Sequence, residues 1–80
     1  MSEIVKKAWA EFAALYGAFS TTAQIIARRK FEKGGIEDVE FDFDTGEIIV
    51  TIYYRQDYDY VRVTLDELAD EFEKAKAGKG

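Results

Sequence analysis

Apolar residues recur between residues 3 and 33 at the three- and four-residue spacing of one helical face. Val5, Ala8, Phe12, Leu15 and Phe19 form the stripe, Trp9 and Tyr16 widen it, and the same register continues through Ile26 to about Phe31. The glycine pair Gly34-Gly35 then stops it. One unbroken helix over this span would be ~46 Å long at 1.5 Å per residue. A compact domain of this size has a radius of gyration of roughly 12 Å, so such a rod would overhang its own body. Gly17 costs about 1 kcal/mol inside a helix relative to Ala, and Thr21 with Gln24 fits a capping box. The pattern therefore predicts two helices, 3–18 and 21–33, joined by a short bend, or a single bent helix in their place.

From residue 37 the period changes to two. Segments 37–44, 47–55 and 58–64 read as a three-stranded antiparallel meander. A two-residue turn at Thr45-Gly46 sets Phe43 opposite Ile48, Phe41 opposite Val50 and Val39 opposite Ile52. A second turn at Gln56-Asp57 sets Ile52 opposite Val61 and Val50 opposite Val63. Both turns send the same residues inward: Val39, Phe41, Phe43, Ile48, Val50, Ile52, Val61 and Val63. A slip of one residue in either hairpin would bury Glu40, Asp42 and Asp44 instead. Residues 65–76 form a last helix, opened by the T-x-x-E capping box of Thr64 and Glu67 and striped by Leu65, Leu68, Ala69, Phe72 and Ala75. The expected fold is a single α+β domain over residues 1–80, with the helices packed on one face of the sheet.

That register exposes an unusual outer face. Glu40, Asp42 and Asp44 line the first strand, Glu47, Ile49, Thr51 and Tyr53 the second, and Tyr58, Tyr60, Arg62 and Thr64 the third. Tyr53 pairs directly with Tyr60, and Asp57 and Asp59 flank the tyrosines. Acids on an edge strand deter edge-to-edge aggregation. Carboxylates interleaved with tyrosines also suit a basic, partly apolar protein surface, because tyrosine buries a large area at low entropic cost and acids steer association. The expected partner-binding residues are Glu40, Asp42, Asp44, Glu47, Tyr53, Asp57, Tyr58, Asp59 and Tyr60. As a nucleic-acid mimic the first strand alone is too sparse: its carboxylates recur every ~6.8 Å, against a phosphate every ~3.4 Å along each DNA strand.

Charge sharpens this picture. The 80 residues carry a net −5, yet residues 1–35 hold six Lys/Arg and three acids, a net +3, while residues 36–80 hold five and thirteen, a net −8. Such acidity argues against direct nucleic-acid binding, which rests on Lys and Arg. Neither Cys nor His is present, which removes disulfides, thiolate nucleophiles and imidazole-ligated zinc. "DFDTGE" resembles the start of a calcium loop, but its glycine comes one place early and the twelfth position from Asp42 is Tyr53. With no phosphate-binding or nucleophile-elbow motif either, neither cofactor, metal nor catalytic activity is expected. No stretch reaches the ~20 apolar residues of a membrane span and no signal-peptide pattern opens the chain, so the expected location is cytoplasmic, without a membrane partner.

Two other uses of the chain fit parts of the pattern. Residues 11–31 resemble a helix-turn-helix, with Gln24, Arg28, Arg29 and Lys30 on a recognition helix and the hairpin as an acidic wing. The Tyr53/Tyr60 patch would also serve a homodimer. In size, acidity and a sheet of tyrosines and carboxylates, residues 36–73 resemble the small phage anti-defence proteins, anti-CRISPR proteins among them. That resemblance implies stoichiometric inhibition of a nucleic-acid-binding protein in the host cytoplasm, in some cases by imitating nucleic acid.

Overall fold

The computed structural model describes residues 2–78. Helix α1 (Glu3–Lys30) is followed by strands β1 (Gly35–Asp42), β2 (Glu47–Tyr54) and β3 (Asp57–Thr64), and helix α2 (Leu65–Gly78) ends the described chain. The sheet is antiparallel with order β1-β2-β3.

Helix α1 is continuous, which corrects the expected break between residues 18 and 21. Ser2 caps it, its Oγ accepting from the Val5 amide at 3.2 Å. Thr21 makes no cap because its backbone already lies inside the helix. Gln24 Nε2 instead donates to Ser20 Oγ at 3.3 Å, one turn back. Gly17 has open space where a side chain would stand, so its cost is only its helix propensity, about 1 kcal/mol. Breaking the helix there would interrupt an apolar register that runs through the glycine on both sides. The rod does overhang its body: the radius of gyration is 14.8 Å and the longest extent 48 Å.

The helix ends three residues earlier than its pattern suggested, at Lys30. Arg28 Nη1 donates to the carbonyls of Glu32, Lys33 and Gly34, at 3.2, 3.4 and 3.0 Å, and so holds the turn that leads into β1. Gly34 adopts φ +84, and a Cβ there would collide with the Tyr53 carbonyl oxygen and lie 2.9 Å from Tyr54 Cβ.

Both hairpins are displaced by two residues from the expected register. Phe41 faces Ile48 and Val39 faces Val50, while Val50 faces Val61 and Ile48 faces Val63. A slide of two keeps every paired side chain on its own face, so alternation alone does not distinguish the two registers. Turn chemistry does. A two-residue Thr45-Gly46 turn of the favoured type would need positive φ at both residues, and β-branched Thr45 resists it. Residues 43–46 form a longer loop in which only Gly46 takes positive φ, +73. Asp42 organises that loop: its Oδ1 accepts from the amides of Asp44 and Thr45, and its carbonyl from Gly46 at 3.0 Å. Phe43, expected inward, stands in the loop 82% exposed. The second turn is Arg55-Gln56, both at positive φ (53 and 64), rather than Gln56-Asp57. An irregularity at Glu37, between Ile36 and Asp38, adds one residue to the edge strand.

One buried cluster holds the domain together. Ala23, Ile26 and Ala27 of α1 and Leu68 of α2 meet Ile48, Val50, Ile52 and Val63, with Phe19, Phe31, Ile36, Val39, Phe41 and Val61 packed against them. The two alanines are fully buried, which brings the α1 backbone close to its neighbours. The predicted Thr64–Glu67 box is formed in both directions: the Glu67 amide donates to Thr64 Oγ1 at 3.2 Å, and Glu67 Oε1 accepts from the Thr64 amide at 3.1 Å.

Candidate interaction surfaces

The exposed ends of alternate sheet positions form four rows. Asp42, Glu47 and Thr64 make the first, then Glu40, Ile49 and Arg62, then Asp38, Thr51 and Tyr60, and last Gly35, Tyr53 and Tyr58. Carboxylates thus gather on β1 and tyrosines at the far end of β2 and β3. Tyr53 packs on Tyr58, ring centroids 5.0 Å apart, rather than on Tyr60, which lies beside Thr51 and is 67% exposed.

The register shift redistributes the acids. The like-charge neighbours are Asp42 and Glu47, whereas the expected register, with Phe43 opposite Ile48, sets Asp44 opposite Glu47. Each has a local donor: Asp42 accepts the loop amides, and Glu47 Oε1 accepts from Arg62 Nη1 at 3.0 Å. Asp44 has moved off the strand into the loop. Glu40 stays on the strand, and Asp38, two residues before it, shares its column by alternation, while the irregularity at Glu37 sets Ile36 opposite inward-facing Ile52. Asp57 opens β3 and its Oδ1 accepts from the Tyr58 amide at 2.9 Å. Asp57, opposite Tyr54, and Asp59, opposite inward-facing Ile52, both belong to the other side of the sheet from Tyr58 and Tyr60, which corrects their expected place on the outer face.

The basic cluster has a different fate. Arg28 is spent on the carbonyls that follow α1. Arg29 pairs with Glu71, and Lys30 Nζ pairs with Glu67 at 2.6 Å and donates to the Arg62 carbonyl at 3.0 Å. Gln24 is bonded to Ser20. These contacts tie α1 to α2 and β3 and explain the lowered carboxyl pKa values there. The Lys30 ammonium, then the Thr64 amide, hold Glu67 below its ordinary value, and the Arg29 guanidinium does so for Glu71. Since residues 17–22 are helical, the bend that a helix-turn-helix requires is absent.

A second surface was not foreseen. Every residue of α1 from Glu3 to Ala18 is exposed, including Ile4 at 81%, Trp9 at 70% and Phe12 at 54%. Where the helix leaves the body, Phe12, Leu15, Tyr16 and Phe19 form one wall of an open apolar groove of ≈ 350 Å³. The Phe41–Ile48 hairpin end and Leu65 and Leu68 form the other. A chain of rings links the tip to the groove: Trp9–Phe12 and Phe12–Tyr16 at 6.1 Å, Tyr16 stacked on Phe41 at 4.7 Å, and Phe41–Phe43 at 6.0 Å. The signal lay in the overhang itself, because more stripe is present than one small body can cover.

Among the described residues no cluster of acids is arranged to hold a metal ion, and no helix is long and apolar enough to cross a membrane. No protein-family model, curated protein or solved structure matches the chain.

Proposed function

We propose that this is a non-catalytic binding protein that docks the acidic, tyrosine-bearing outer face of its sheet on a basic protein surface, with both helices on the opposite face. The observation that carries this reading is the exposed tyrosine cluster, Tyr53, Tyr58 and Tyr60, standing beside the Asp38/Glu40 column. Tyrosines present broad, stiff contact area with a polar tip, which suits the centre of an interface. Asp38, Glu40, Asp42 and Glu47 against Arg62 leave the face at −3, enough to steer encounter with a positive groove. The partner class this charge fits is the basic groove of a nucleic-acid-binding protein, occupied stoichiometrically in the manner of a phage anti-defence inhibitor.

The test is capture with the tagged chain from its native host, followed by affinity measurement on the captured protein. Tyr53→Ala and Tyr60→Ala each weaken binding by about tenfold or more. Glu40→Ala weakens it by a few-fold, mainly through a slower association rate that salt also slows. Charge reversal belongs at Asp38, Glu40 and Asp44, since Asp42 organises the hairpin loop. Unchanged affinity in both tyrosine variants and in that triple reversal overturns the proposal.

A further inference from the structure

The stripe on α1 has one register and two environments. Val5, Ala8, Phe12, Leu15, Phe19, Thr22 and Ile26 follow the alternating three- and four-residue steps of a heptad seam. From Phe19 onward that seam is packed in the body; before it the seam is exposed, Phe12 and Leu15 lining the open groove without being covered by it. A helical segment of some 16 residues held to the body chiefly at its base, where Tyr16 stacks on Phe41, is marginal in water. Trp9, Phe12, Leu15, Tyr16, Phe43 and Leu65 together expose apolar surface on the order of 700 Å². Monomers rarely leave so large a contiguous patch open, whereas a stable interface buries roughly 800 Å² per partner.

We propose that a second copy of this chain covers this surface, through an isologous antiparallel pairing of the two α1 helices about a two-fold axis near Phe12. The chain carries both halves of the contact, a projecting apolar ridge and a groove that receives one, and two-fold symmetry satisfies both at once. An axis at Phe12 lays residues 3–18 of one copy beside roughly residues 6–21 of the other. Trp9 of each then reaches Tyr16 and Phe43 of its partner, beside the groove. Antiparallel pairing puts the two bodies at opposite ends of the helix pair, while a parallel pairing would drive them together. The projecting segment carries Glu3 and Glu11 against Lys6 and Lys7, so two copies approach without net repulsion. The same neutrality, on an acidic chain, gives an anionic bilayer little hold. This pairing goes beyond the docking reading and leaves the tyrosine face free.

Sedimentation equilibrium of the intact chain over a wide concentration range reads the assembly. The expected species is a dimer, and Phe12→Asp weakens it by about a thousandfold, because the substitution counts twice in a two-fold interface. As Phe12 lies outside the buried cluster, that variant keeps a cooperative unfolding transition. The register has an independent reading, since the chain holds no cysteine. Under mild oxidation Phe12→Cys forms a covalent dimer across the axis, while Ala10→Cys on the far side of the helix does not. A monomer at every concentration overturns the proposal. So does a dimer that cross-links through Tyr53→Cys but not through Phe12→Cys, or a monomer that sediments with anionic lipid vesicles.

Discussion

The two halves of α1 share one helix, one register and a similar supply of apolar residues, yet differ in everything that packing decides. Residues 19–30 sit against the sheet and α2, with Ala23 and Ala27 fully buried and Arg29 and Lys30 paired to acids of α2. Residues 3–18 leave Trp9, Phe12 and Leu15 exposed and reach the body of their own chain only beside the groove, where Tyr16 stacks on Phe41. The buried half sets Ala23 and Ala27 where the backbone must come close, and the free half projects Trp9, Phe12 and Leu15. Amphipathic spacing therefore tells which face of a helix seeks cover, but not whether the cover belongs to the same chain.

The difference is open to direct attack. Ile26→Ala removes a core side chain and should lower stability by about 2–4 kcal/mol in urea unfolding. Leu15→Ala, measured dilute enough to keep the chain monomeric, should change it by no more than about 0.5 kcal/mol. At concentrations that favour the paired helices the gap narrows, because association adds to apparent stability. Equal effects in dilute solution would mean that the free half is packed after all. Gly17→Ala, at the junction, should raise stability by about 1 kcal/mol if the helix is continuous there, and do nothing if the chain bends.

The smallest expected effect concerns the charges that tie the buried half to α2. Glu67 and Glu71 have folded pKa values below their ordinary value of 4.5, so the folded state binds fewer protons there than the unfolded one. Their contribution is complete above that value and disappears as pH falls through the lowered folded values. Glu67→Gln should cost about 0.5 kcal/mol at neutral pH, as expected for a partly exposed pair, and should flatten the acid limb of a thermal-stability profile. An acid limb unchanged in both Glu67→Gln and Glu71→Gln would show that the helix–helix charges carry no stability.

How much of this was legible in the sequence depended on which physical rule governed each element. Strand number, the capping box at Thr64 and the inward set of β2 follow from a period of two and from local hydrogen bonding. Register followed less well, because a slide of two residues is invisible to alternation; Thr45, a poor residue for positive φ, was the readable warning. Phe43 was misplaced for that reason alone. The helix break was inferred from compactness, and compactness describes a finished assembly better than a single chain that leaves apolar surface open. The roles of Arg28, Arg29 and Lys30 are hidden for another reason: Arg28 bonds backbone carbonyls of an irregular turn, and Arg29 and Lys30 reach acids of α2 and the Arg62 carbonyl far along the chain. The tyrosines were placed on the right face, but Tyr53 was given the wrong neighbour by the same two-residue slide.

The clamp of Arg28 on three successive carbonyls has a mechanical side. The free arm of helix α1, residues 3–18, is a lever about 24 Å long whose fulcrum is the packed half. A change of ten degrees in its direction would swing the tip by about 4 Å, most of a helical turn. The packed half, with the Arg29 and Lys30 ion pairs to α2 and the Arg28 clamp on the turn behind it, therefore sets the aim of every aromatic ring near the tip.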